Sequence, residues 1–476
     1  MLRRAALLLA LASCGAPPGM MDDDGGLELE PDAGPMADAG PGPADGGSAD
    51  GGDTGDGGGA LDGGGGSTDA GGGVDAGGEA DGLFVYPFDR THSPLTAQHV
   101  RALGVIAARA PRSVDAFMKV GDSNTVNPNF LGCFAGANVD LGGRVALQPT
   151  LDALKTTRLS GTTPFERVSR SATVGWSAGA ALAGTPPPVE QELSATNARF
   201  ATVMFGTNDI QAMNLDAYGR AMFSLVDWLA ARGVVPLLTS IPPRDDSATA
   251  DAQVPWYNGV TRALAQARGV PFVDLERELR LLPNHGLSTA DGLHLNVFVQ
   301  NGAARGCVLT GAGLQFGHNR RNLLTLEALR RARDAVASGA VADVGGAVRR
   351  GTGTRADPIV VDSLPFVDVR DTRRDGARTI DTYGACSPAN EGGPEVLYRL
   401  DVTQSRAVRA VVVSLGAADV DVHLLQGSAT GAACVARNDK AVTATLTSGA
   451  WFLALDTFVS SGAERAGEYA LVVLPQ

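Results

Sequence analysis

The feature that constrains this chain most is a stretch that is not expected to fold. Between residues 15 and 82, 25 of 68 positions are Gly and 16 are Asp or Glu, with no Lys or Arg. So little apolar surface, with so much unopposed negative charge, cannot offset the entropy of ordering a backbone. A folded core must therefore come from residues 83–476 of the 476-residue chain. Charge follows the same division. The whole chain carries −13, yet the part beyond residue 82 holds 37 basic and 36 acidic residues. The low pI thus belongs to the Gly-rich stretch, and a near-neutral folded part lacks the basic footprint that binding a phosphate backbone needs. No nucleic-acid partner is expected.

Ahead of that stretch, Arg3 and Arg4 precede an apolar run from Ala5 to Ala12. The run is far short of the roughly 20 residues that span a bilayer and has the layout of an export signal. It closes on Leu11-Ala12-Ser13-Cys14-Gly15, which resembles the lipobox of bacterial lipoproteins. The resemblance implies a signal over residues 1–14, lipidation at Cys14 and a tether over residues 15–82 that reaches about 45 Å. Gly15, where an Asp would favour inner-membrane retention, points to the outer membrane or cell surface. The expected location is a bacterial cell envelope, with the membrane as partner through an N-terminal lipid. The other four cysteines, an even number in an oxidising compartment, allow three pairings. Pairing within domains predicts Cys133 with Cys307 and Cys386 with Cys434.

From residue 83 to 337, strand-type apolar runs alternate with helical patterns, the signature of an α/β fold with a parallel sheet. The expected strands are Ala116–Val120, Ala172–Gly175, Ala201–Phe205, Val234–Ile241 and Pro271–Asp274. Met222, Leu225, Val226 and Leu229 place a helix between the third and fourth strands, stopped by Gly233; a second runs from Tyr257 to Arg268 and a last from Asn319 to Ala337. Residues 338–357 lack apolar periodicity and read as a linker. From 358 to 476 only strand patterns follow, at Leu397–Val402, Val408–Leu415, Val420–Leu425, Val442–Leu446, Trp451–Asp456 and Tyr469–Leu474. A small antiparallel β-sandwich is expected there.

Three short motifs follow predicted strands, where open α/β sheets place their sites. Gly121-Asp122-Ser123 offers a hydroxyl, Gly206-Thr207-Asn208-Asp209 an amide, and Asp291-Gly292-Leu293-His294 an imidazole with a carboxylate three residues before it. That spacing lets the carboxylate accept one ring proton and turn the other nitrogen toward a nucleophile. Singly, each motif is a common turn; their order at successive strand ends is the signal.

Together these residues resemble the SGNH (GDSL) hydrolase family over roughly residues 112–337. The resemblance implies a flavodoxin-like three-layer sheet and a serine esterase with no cofactor, acting on acyl or acetyl esters of small molecules, lipids or polysaccharides. It implies Ser123 as nucleophile, His294 as base and Asp291 as its partner. The oxyanion hole would combine the Ser123 and Gly175 backbone N–H groups with the Asn208 side chain, Gly179 being the alternative to Gly175. Two competing readings stand beside it. Gly175-Trp176-Ser177-Ala178-Gly179 fits the nucleophile elbow of an α/β-hydrolase or patatin-like enzyme, with Ser177 as nucleophile. A surface binding lipoprotein that uses the fold as a scaffold is the non-enzymatic reading.

No metal site is expected. His92, His99 and His423 show no zinc spacing with Cys, and alternation along Asp419-Val420-Asp421 puts both carboxylates on a solvated strand face. His285 and His318 read as surface or hydrogen-bonded histidines, and Trp176 and Trp256 as pocket or packing residues. The C-terminal motifs, among them Ser448-Gly449-Ala450-Trp451 and Gly467-Glu468-Tyr469, resemble the bacterial pre-peptidase C-terminal type of β-sandwich. That resemblance implies an accessory module touching a cell surface or polysaccharide.

Overall fold

The computed structural model describes residues 85–384, 386 and 389–476. The export run, Cys14 and the Gly-rich tether lie outside the described residues. Four parallel strands, β1 (Ser113–Gly121), β2 (Ala198–Met204), β3 (Val235–Thr239) and β4 (Phe272–Val273), lie side by side in that order. Every residue of β2 and β3 is buried, as short apolar strands covered on both faces must be. Two helix pairs cover the sheet, α1 (Ala97–Ala108) with α4 (Gly317–Ser338) and α2 (Leu215–Ala231) with α3 (Val254–Arg268). The apolar stripe Met222, Leu225, Val226 and Leu229 of α2 is buried. Left-handed glycines end the longer helices, Gly269 after α3 and Gly339 after α4.

One expected strand is nearly absent. Ala172–Gly175 pairs with β1 through a single parallel bridge, Gly121 to Ala172. The Ser169 and Ser171 hydroxyls bond the Lys119 carbonyl at 2.6 and 3.0 Å, where a backbone ladder would run. Beyond the bridge, Thr173, Val174 and Gly175 are exposed. Those hydroxyls close the ladder on the side before Ala172, and on the other side β1 has ended at Gly121 and turned into the short helix Ser123–Val126, so Thr173–Gly175 have no strand to pair with.

The C-terminal region forms two facing sheets from β5 (Ile359–Val360), β6 (Phe366–Asp371), β7 (Val396–Val402), β8 (Arg406–Ser414), β9 (Val420–Gln426), β10 (Cys434–Asn438), β11 (Ala441–Leu446), β12 (Gly449–Thr457) and β13 (Glu468–Pro475). Their orders are β11-β8-β13-β6 and β10-β9-β12-β7-β5, antiparallel except for β5 with β7. β5, β6 and β10 had no counterpart among the expected strands.

The β11-β8-β13-β6 sheet is apolar on both faces. Val408, Ala410 and Val412 of β8 and Tyr469, Leu471 and Val473 of β13 point into the sandwich core. Their alternates Val411, Val413, Ala470, Val472 and Leu474 join the core of the α/β part. The approach to α2 and α3 is close enough that a Cβ on Gly219 would stand 2.6 Å from Val413 and one on Gly259 2.7 Å from Val472. Arg268 of α3 bonds both Asp227 and Glu468, and Lys440 reaches Asp216 at 3.1 Å. Trp256 is buried in α3 with the Arg409 guanidinium over its ring, which makes it a packing residue.

Burial also corrects the reading of Asp421. It lies buried with its carboxylate on Arg437, because both faces of β9 are covered. The interdomain segment is pinned too. Ala342 and Asp343 donate to the Leu95 carbonyl, and Val85 donates to Ala347.

Candidate active site

The site begins with the turn that leaves β1. A Cβ on Gly121 would stand 2.3 Å from Thr125 Oγ1 and 2.7 Å from the Met204 carbonyl, so only glycine lets the chain turn against the end of β2. Asp122 then caps the one-turn helix Ser123–Val126, its Oδ1 accepting from the Asn124 N–H at 3.1 Å. Ser123 thus sits at the mouth of the turn with its hydroxyl free to face the loop after β4.

That loop is shaped by Gly292. Its φ is +62°, and a Cβ there would stand 2.8 Å from the Asp246 nitrogen. Asp291 Oδ1 accepts from the backbone N–H groups of Leu293 and His294 at 2.9 and 3.0 Å. Its Oδ2 lies 2.8 Å from His294 Nδ1. An ionised carboxylate only accepts, so Nδ1 carries the proton and Nε2 offers its lone pair. His294 Nε2 stands 2.9 Å from Ser123 Oγ. Burial alone would raise the Asp291 pKa, but the two backbone donors and the imidazole outweigh it and hold the carboxyl below its ordinary value. The Asp291 and His294 side chains stay 43% and 33% exposed, so the arrangement opens to solvent.

The remaining sequence candidates gather around one loop. Asn208 Nδ2 donates to the Trp176 carbonyl at 3.0 Å, and both Asp209 oxygens accept from the Ala178 N–H at 3.0 and 3.3 Å. These bonds lash the segment holding Gly175, which has φ +80°, to the end of β2. Ser177, also in this segment, is exposed and precedes a 3-10 turn, Ala178–Leu182. Neither the strand nor the α-helix that a nucleophile elbow joins is present on its two sides, and the free nitrogen of His294 is occupied by Ser123.

Several supporting residues carried no sequence signal. Arg321 of α4 is fully buried under the nucleophile turn. Its Nη1 donates to the Asn124 carbonyl at 2.7 Å, its Nη2 to Thr125 Oγ1 at 3.0 Å, and its guanidinium stacks 3.7 Å from the centre of the Phe130 ring. Burial pushes its pKa down to about 9 against the pull of Asp122; burial likewise pushes Asp122 up to about 6 against the pull of Arg321. An arginine within a helix normally reads as solvated, and only the tertiary fold reveals this one as interior. Asn124 Oδ1 accepts from the Leu295 N–H at 3.2 Å, joining the nucleophile turn to the histidine loop.

The two flanking histidines differ. His285 is an exposed partner of Asp245 at 2.8 Å. His318 is fully buried with neither ring nitrogen bonded among the described residues, contrary to the expected surface or hydrogen-bonded role. Burial drives its pKa down to about 3. Cys133 and Cys307 form a disulfide, joining the segment after Ser123 to the segment after His294, and Cys386 pairs with Cys434.

Residues 120–298 match the model of the GDSL-like lipase/acylhydrolase family. No curated protein matches the chain. Among solved structures, a catalytic mutant of an acetylxylan esterase from Geobacillus stearothermophilus is 16% identical, covering 46% of this chain and 95% of that one with a TM-score of 0.31. A GDSL-like lipase from Bacteroides thetaiotaomicron is 15% identical, covering 50% and 98% with a TM-score of 0.29. The pre-peptidase C-terminal domain of a collagenase from Bacillus anthracis is 11% identical, covering 23% and 89% with a TM-score of 0.16.

Proposed function

We propose that this chain, whose residues 120–298 carry the GDSL-like lipase/acylhydrolase pattern, is a serine ester hydrolase working through Ser123, His294 and Asp291. The observation that carries the reading is the relay of contacts, 2.9 Å from Ser123 Oγ to His294 Nε2 and 2.8 Å from His294 Nδ1 to Asp291. Ser123 Oγ attacks the ester carbonyl while His294 takes its proton. Asp291 keeps the ring in the required tautomer and offsets the imidazolium charge. The carbonyl oxygen, now negative, is stabilised by the Ser123 and Gly175 N–H groups and by Asn208. One Asn208 amide hydrogen is held by the Trp176 carbonyl, which leaves the second for that oxygen. His294 returns its proton to the departing alcohol, and water repeats the sequence to free the acid. Because Asp291 and His294 are partly open to solvent, an alcohol on a large carrier such as a polysaccharide has a path out.

Turnover of a nitrophenyl acetate tests this reading. Ser123→Ala should lose about 10⁴-fold or more in kcat, and Ser177→Ala should leave turnover near wild type. The reverse pattern would transfer the role to Ser177.

Export and lipid attachment at Cys14 belong to the same reading. They are supported by the Leu11–Gly15 motif and by two disulfides of the kind that persist outside the cytosol. Mass spectrometry of the mature N-terminus should find an acylated Cys14; an unmodified one would contradict it.

A further inference from the structure

A second concentration of ionisable groups lies in the sandwich. β9 runs between β10 and β12, and its Asp421 and His423, two positions apart, share one face. Glu391 approaches from the segment before β7. Asp421 is 2% exposed and the other two 0%, and one donor atom from each lies within 4.8 Å of the others.

His423 is the informative member. Its ring stacks on Tyr383 with centroids 3.6 Å apart, which fixes its plane, and Nε2 points to Glu391 Oε1 at 3.9 Å. Among the described residues neither ring nitrogen has a hydrogen-bond partner. A buried polar group left so costs stability unless something binds it. Further polar groups stand around the ring. Asp456, buried and bonded to the Tyr383 hydroxyl, adds a further carboxyl beside Glu391. One guanidinium faces this group: Arg437 contacts Asp421, lies 3.6 Å from Glu391, and reaches outward to the exposed Asp439 at 2.8 Å.

We propose that Glu391, Asp421 and His423 form a binding site for a divalent transition-metal ion of the zinc class. An imidazole nitrogen with two carboxylates is a zinc-type donor set, whereas calcium collects six to eight oxygens. Arg437 yields the position by turning from Asp421 to Asp439. The Cys386–Cys434 disulfide ties the segment before Glu391 to the start of β10, which carries Arg437, so a bound ion would brace both.

The test is a calorimetric titration of the chelator-stripped full chain with zinc chloride near neutral pH. One equivalent should bind, and calcium in excess should not displace it. His423→Gln and Glu391→Gln should each weaken binding by at least about tenfold. His285→Gln should retain it, and Arg437→Gln should bind at least as tightly as wild type. Absence of binding up to about 100 µM zinc, or binding unchanged in His423→Gln, overturns the proposal, as does loss of binding in Arg437→Gln. Should a buried variant fail to fold, X-ray absorption of the zinc-loaded wild type decides. One imidazole with carboxylate oxygens supports the site, and two or more imidazoles overturn it.

Discussion

The α/β part and the sandwich place their candidate sites in opposite ways. In the first, Ser123, Asn208 and the Asp291–His294 pair stand on turns beyond strand ends, partly open to solvent. In the second, Asp421, His423 and Asp456 lie within strands and are buried. Chemistry on turns can change without disturbing a core, whereas chemistry within a strand is part of the core it sits in. The sheet β11-β8-β13-β6 joins the two, since its alternate side chains serve both interiors.

The largest expected effect separates two carboxylates. Asp291→Asn should lower kcat by about 10³ to 10⁴, by leaving His294 in the wrong tautomer, whereas Asp421→Asn should leave turnover intact and shift thermal melting only. Equal effects on kcat would erase the distinction. Next, Val413→Asp places an unpaired carboxylate between the sandwich and α2. It should cost about 3 to 5 kcal/mol in urea unfolding and disturb both parts at once; an unchanged midpoint would mean the shared core is not formed in solution. Asn208→Ala should follow with a loss of about 10² to 10³ in kcat and little change in melting. Wild-type turnover in that variant would remove Asn208 from the oxyanion site.

The smallest effect is on pH dependence. In the α/β part His99 and His318 have pKa values lowered by burial from 6.5 to about 4 and about 3. The unfolded chain therefore binds protons below about pH 6.5 that the folded chain refuses. Stability falls as pH drops from there toward the folded values, by up to about 1.4 kcal/mol per pH unit for each group. The urea midpoint should drop between pH 7 and pH 5, and His318→Phe should flatten the slope. An unaltered slope would show that His318 protonates freely in the folded chain.

What was legible in the sequence follows the same contrast. The turns announced themselves because their geometry demands particular residues: Gly121 for lack of space and Gly292 for its positive φ. Parallel strands and the long helices were legible from apolar runs and the 3.6-residue period. The strand expected at Ala172–Gly175 is not realised, because β1 ends at Gly121 and leaves the residues beyond Ala172 with no strand to pair with. Asp421 was misread because alternation reports a strand's two faces but not what covers them. Arg321 and His318 were invisible for a related reason, since a helix's pattern does not say how deeply its first turns are buried.

The most direct measurement is to map the adduct of a fluorophosphonate probe on the intact chain by peptide mass spectrometry. A single adduct at Ser123 is expected, formed slowly or not at all in His294→Gln. An adduct at Ser177, or none on a chain that turns over esters, would contradict it.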